Sequence, residues 1–250
     1  MVIGEAPGKI VLFGEHSVVY GQPAIAAPVF GVKAKAKIEP AKKFEIILNN
    51  KLENPKEAKK AIEYTVDNTL AYLGIRSKNF RLFIDSKVPI ASGMGSGAAV
   101  GVAIIRGIAK YFHADLTNDE ISKIDYETEK VLHAHPSGID NTVVSHEKPI
   151  YFQKGNIELI KPGKELHILI ANTGIRSSTR RALTLVRKAW LANKQRYETL
   201  FENAGRIAKE AREAIEAGKL KKVGALMGEF QQFFREIRMS SLENEKLIQA

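Results

Sequence analysis

Residues 80–112 constrain this chain more than any other stretch. Phe80, Leu82 and Ile84 alternate with Arg81, Phe83 and Asp85, the two-residue period of a strand with one buried face. PIASGMGSGAAV (89–100) follows, with Gly93, Gly95 and Gly97 at alternate positions, and an apolar, alanine-rich run then predicts a helix from about Ser96 to Phe112. A strand that feeds a helix through such a loop leaves backbone N–H groups uncovered at the positive helix end, where phosphate is held.

The flanking segments are mixed. Residues 32–38 alternate apolar positions with Lys33, Lys35 and Lys37, a strand with one wet face, and residues 44–48 are its expected partner. Asn54-Pro55 opens a helix as cap and first position, and Gly74 closes it. Thr117 with Glu120 forms a capping box for a helix running to about His133. A turn at HPSGID (135–140) follows, then short strands near 150–152 and 166–171, then mostly helix from Ser178. The last helix starts near Ser241 and is still running at Ala250. This pattern predicts an α+β chain with a helix-rich back half and a boundary near 155–165, taken as domains 1–160 and 161–250.

Composition excludes several chemistries. The 250 residues hold no cysteine, which removes disulfides, zinc–thiolate sites and cysteine nucleophiles. No run approaches the roughly 18 apolar residues of a membrane span. The N-terminus, MVIGEAPGKIVLFGEH, is acidic within five residues and lacks the pattern of an export signal. A cytoplasmic location and no membrane partner are expected. The formal net charge of +10 fits anionic small ligands or nucleic acid. Its densest part, residues 176–197, carries seven Lys/Arg and no acid. That run reads first as a solvated helix face, then as steering of an anionic substrate, with a nucleic-acid partner the least expected. His113, His133, His135, His146 and His167 show no metal-ligand spacing.

Three common phosphate loops fail against residues 89–100. A Walker loop ends in Gly-Lys-Ser/Thr, and here alanines follow Gly97. The protein-kinase set needs HRD and DFG elements, and neither occurs. Gly93, Gly95 and Ala98 fit the dinucleotide fingerprint, but about twenty residues on, where an acid should end the next strand, stands the loop and cap HADLTNDE.

PGKIVLFGEHSVVYGQPAIAAPV (7–29), the glycine loop and HPSGIDNTV (135–143) together resemble the galactokinase–homoserine kinase–mevalonate kinase–phosphomevalonate kinase (GHMP) superfamily. Within it, GEHSVVYGQPAIA and NTGIRSSTRRAL (172–183) are similar to the mevalonate kinases. The agreement in order and spacing covers about residues 5–185. The resemblance implies a two-domain fold, with an N-terminal half like ribosomal protein S5 and a helix-rich, ferredoxin-like C-terminal half. It also implies ATP- and Mg2+-dependent phosphorylation of the C5 hydroxyl of mevalonate in isoprenoid synthesis. Three departures stand out. Gly97 occupies the place of a usual second serine, Met94 that of a usual leucine, and the family's third glycine-rich motif does not occur before Ala250, so either the chain is shortened or the protein lacks that part.

Carried over residue by residue, the resemblance makes Asp140 the base for the substrate hydroxyl and Lys9 its charged partner. On its own Asp140 also reads as a turn aspartate bonding its local backbone. Pro89, Ile90, Ala91, Ser92, Gly93, Met94, Gly95, Ser96, Gly97 and Ala98 would hold the ATP phosphates, and Ser96 and Glu129 the magnesium. Ser96 also suits a helix cap. Glu15 and His16 would face the substrate, with Thr173 beside the basic run; His16 alone also fits a packed core histidine. A homodimer is compatible with the pattern. The rival readings are a related kinase acting on phosphomevalonate or another small alcohol, and a non-catalytic member that binds ligand or nucleic acid as a regulator.

Overall fold

The computed structural model describes residues 1–49, 55–90, 92–132, 137–175 and 179–250. It falls into two compact units: residues 1–10 with 28–148, and residues 11–27 with 149–250. The sequence-level division at residue 160 cuts the chain once, whereas these units return residues 11–27 to the second half.

Strands β1 (Val2–Phe13) and β2 (Ala24–Pro40) pair with each other and contribute to both units. In the first unit, β2 pairs antiparallel with β4 (Phe80–Ser86), from Ala34↔Ser86 to Pro40↔Phe80. β3 (Glu45–Leu48) lies parallel on the other edge of β4, from Glu45↔Arg81 to Leu48↔Ile84. Residues 44–48 thus do not partner the 32–38 strand as expected, because β4 takes the place between them. The alternation in β4 holds: Phe80, Leu82 and Ile84 are buried, while Arg81 reaches Glu39 and Glu45 on the wet face.

Helices α1 (Pro55–Tyr72), α2 (Ser96–Tyr111), α3 (Asn118–Leu132) and α4 (Ile139–His146) complete this unit. Pro55 is the first helical residue of α1, as predicted; Asn54 lies outside the described residues. The capping box forms as read, with the Thr117 N–H donating to Glu120 Oε2 (2.8 Å) and the Glu120 N–H to Thr117 Oγ1 (3.3 Å). The core joins β2 and β4 to α2, whose Val102, Ile104, Ile105 and Ile108 are fully buried. Burying α2 this deeply fixes where its N-terminus, and so the glycine loop, must stand.

In the second unit, Ala24–Ala26 of β2 pairs with β5 (Ile150–Gln153), which turns back into β6 (Asn156–Leu159). Four helices follow: α5 (Thr179–Ala192), α6 (Lys194–Glu216), α7 (Leu220–Glu236) and α8 (Leu242–Gln249). α8 starts where the sequence places it, and Ser241 caps it, its Oγ accepting from the Asn244 N–H at 3.2 Å. An aromatic core of Phe13, Tyr197, Phe201, Phe230 and Phe233 packs this unit. Residues 166–171, expected as a strand, alternate in exposure but form no ladder, and Leu169 is 95% exposed. Alternation alone does not make a strand; a hydrogen-bonding neighbour is required. The short β6 hairpin partner was missed because NIEL carries little strand propensity.

Candidate active site

The first unit builds its site on β1, the glycine loop, α3 and α4. Lys9 sits on β1 with its side chain only 9% exposed, and its Nζ lies 2.9 Å from Asp140 Oδ1. The Lys9 amide donates to the Met94 carbonyl at 3.0 Å, so the same residue ties down the loop. Gly95 supplies the space for this arrangement. Its φ is +66°, and a Cβ there would stand 2.7 Å from Lys9 Cγ. Glycine is required on both counts.

The expected HPSGID turn is corrected in part. Pro136 and His135 lie outside the described residues, but Asp140 is not a turn residue: it occupies the first turn of α4, after Gly138 at φ +82°. A carboxylate suits that position because it faces the positive end of the helix. α4 is pinned to α3 from the next residue, Asn141, whose Nδ2 donates to the Ser122 carbonyl (3.0 Å) and to Ser122 Oγ (2.8 Å).

The loop ends at a helix start with uncovered amides. The Ala99 N–H bonds the Gly95 carbonyl at 2.9 Å, which leaves the amides of Ser96, Gly97 and Ala98 without helical acceptors. Gly95, rather than Ser96, is the cap residue, and no side chain caps this end. The expected capping duty of Ser96 is therefore corrected: as the first helical residue it does not bond back onto its own helix start. Ser92 Oγ donates to the Pro89 carbonyl at 2.8 Å and closes the approach turn. Ala91 lies outside the described residues. Beside the loop, Leu48, Ala61, Ile62, Ile84, Ile90 and Val100 line an apolar cavity of about 200 Å³ that Ser96 and Gly97 also border.

Glu129 arrives from α3, and its Oε1 would lie 3.5 Å from a Cβ placed on Gly97. Burial, and then the nearby Asp140, push its carboxyl up to about 7, against the opposing pull of Lys9. One turn earlier stands a carboxyl that sequence reading missed. Asp125 is 1% exposed, its Oδ2 has no hydrogen-bond partner among the described residues, and burial, Glu129 and Asp140 raise it well above the usual carboxylate range. The sequence does carry a signal for it: Ile121, Ile124, Asp125 and Thr128 share the buried stripe of α3, where an acid is out of place. Among the described residues, no three His, Asp or Glu side chains surround a metal position.

The remaining expected residues belong to the second unit. Glu15 is exposed, while His16 is 9% exposed, with φ +66° and its ring 5.9 Å edge-on from Phe234. Burial lowers the His16 pKa, against the pull of Glu15, and its Nδ1 has no partner among the described residues. Thr173 Oγ1 accepts from the Ile175 N–H at 3.2 Å within a local turn.

Substituting Gly95→Val tests the loop geometry. We expect weaker nucleotide binding by calorimetry, and a kcat lower by about a hundredfold from displacement of Lys9, in a protein that still folds. Parental affinity and turnover in a folded variant would make the loop a packing feature.

Comparison with known proteins agrees with this geometry. Residues 57–147 match the GHMP kinases N terminal domain. The mevalonate kinase of Thermococcus sibiricus is 32% identical over 256 residues, covering 90% of this chain and 75% of that protein. That of Pyrococcus horikoshii is 31% identical, covering 90% and 74%. The crystal structure of L. major mevalonate kinase in complex with R-mevalonate matches with a TM-score of 0.85 at 25% identity, covering 100% of this chain and 79% of that one. Methanococcus jannaschii mevalonate kinase shares the fold, with a TM-score of 0.79 at 22% identity, covering 96% and 80%. A buried lysine paired with a part-exposed aspartate beside a glycine loop at a helix start, in a chain this similar to curated kinases over three quarters of their length, identifies it as a member of the mevalonate kinase family of GHMP kinases.

Proposed function

We infer that this chain transfers the γ-phosphoryl group of ATP to the C5 hydroxyl of mevalonate. One observation carries the reading: Lys9 joins the glycine loop through its amide and Asp140 through its ammonium, so phosphate and base are held by one residue.

Phosphoryl transfer asks a protein mainly for positioning and charge neutralisation. The free amides of Ser96, Gly97 and Ala98 hold phosphate oxygens at the α2 N-terminus. The apolar cavity bordered by Ile84 and Ile90 takes the base of ATP. Asp140 accepts the proton of the substrate hydroxyl as its oxygen attacks phosphorus. Lys9, 2.9 Å from Asp140, steadies the developing negative oxygen. Glu15, His16 and Thr173 are the residues we assign to the substrate's own carboxylate and hydroxyl groups.

Magnesium fits the residues present. Mg2+ takes few protein oxygens and leaves the rest of its shell to phosphate and water, so a pair suffices. Ser96, not used as a cap, and Glu129, beside Gly97, would be that pair. When bound, the ion neutralises charge on the phosphates.

Two measurements follow. ADP release is expected with mevalonate and to be much slower with phosphomevalonate, homoserine or galactose. A clear preference for another of these alcohols overturns the substrate assignment. The second concerns pH. Glu129 holds its proton up to about pH 7 in the metal-free protein, and only the carboxylate binds a cation. Apparent Mg2+ affinity should therefore fall as pH drops below about 7, approaching tenfold per unit. Glu129→Gln, which cannot titrate, reports the nucleotide's own pH dependence as baseline. Parallel Mg2+ titrations of parent and variant across this range would contradict the role of Glu129.

A further inference from the structure

Helices α2 and α3 meet through two glycine–carboxyl contacts, each one helical turn apart. Gly97 faces Glu129, and Gly101 faces Asp125. The second contact is the closer. A Cβ on Gly101 would fall on Asp125 Oδ1 and stand 3.1 Å from its Cγ, so the carboxyl fills the space that a side chain at 101 would take. Residues four apart lie on one helix face, and helical side chains lean toward the N-terminus. The Glu129 side chain therefore leans back over the turn that holds Asp125. Removing Asp125 would open the notch beside Gly101 one helical turn from the Glu129 carboxyl.

We propose that Asp125 is a positioning residue for Glu129: its carboxyl occupies the Gly101 notch and so leaves Glu129 only the position beside Gly97, next to Ser96. The role is one of occupancy. It rests on the reading of Glu129 as a ligand of the nucleotide-bound cation. It accounts for an acid in the buried stripe of α3 whose Oδ2 has no hydrogen-bond partner among the described residues, and for a glycine inside a helix, where glycine is unfavourable.

Mn2+ binding in the presence of ADP, followed by electron paramagnetic resonance on the whole chain, tests this without turnover. Asp125→Ala should weaken Mn2+ binding by about tenfold or more, as loss of an outer-shell partner commonly does. Asp125→Asn, which has the same shape, should stay within a few-fold of the parent. Gly101→Ala alone should weaken binding, because its methyl displaces the Asp125 carboxyl. Combining Gly101→Ala with Asp125→Ala should recover binding, because the new methyl takes the oxygen's place. Asp125→Ala at parental affinity, Asp125→Asn as weak as Asp125→Ala, or no recovery in the double variant would each overturn the proposal. Should Gly101→Ala fail to fold, the alanine and asparagine variants at 125 still decide it. Glu129→Gln separates the two levels: parental Mn2+ affinity there removes the reading of Glu129, whereas a loss there without one in Asp125→Ala removes only Asp125.

Discussion

The Lys9–Asp140 ion pair is the interaction on which the site depends. The Lys9 side chain is only 9% exposed, so its charge is short of water, and Asp140, itself 35% exposed, supplies the counter-charge. That pair ties the first turn of α4, which carries Asp140, to β1. The amide of the same lysine holds the loop at Met94, and its stem lies where a side chain at Gly95 would be. One residue thus links the strand, the loop and the start of α4, and the Asn141–Ser122 bonds link α4 on to α3.

Around this pair the charge balance is uneven. Asp125, Glu129 and Asp140 stand near one another, and burial first, then their mutual repulsion, raises the carboxyls of Asp125 and Glu129. Crowded carboxyls next to uncovered amides at a helix start suit a ligand that brings phosphate and a divalent cation together.

Much of this was legible in the sequence because it depends on local chemistry. The alternation of Phe80, Leu82 and Ile84, the glycines of the loop and the Thr117–Glu120 box each act within a few residues, and each formed as read. What escaped depends on distant partners. Residues 44–48 pair with β4 instead of β2, and residues 166–171 alternate without a strand beside them. Asp140 looked like a turn residue because Gly138 signals a turn, yet here the glycine starts a helix. Gly97, a departure from the family pattern, has no structural requirement, since a Cβ there would meet Glu129 Oε1 at an ordinary 3.5 Å. Asp125 was overlooked because nothing in the motif points to it; its meaning comes from Gly101, on another helix.

The double-mutant cycle on kcat between Lys9→Met and Asp140→Asn tests the central claim most directly. A catalytic base contributes about 10²–10⁴-fold. Asp140→Asn should therefore lower kcat by at least about a hundredfold with ATP affinity little changed, and two groups working as one unit should lose no more together than in the worse single variant. Turnover by Asp140→Asn within a few-fold of the parent, or losses that simply multiply in the double variant, would contradict a paired base and cation at this site.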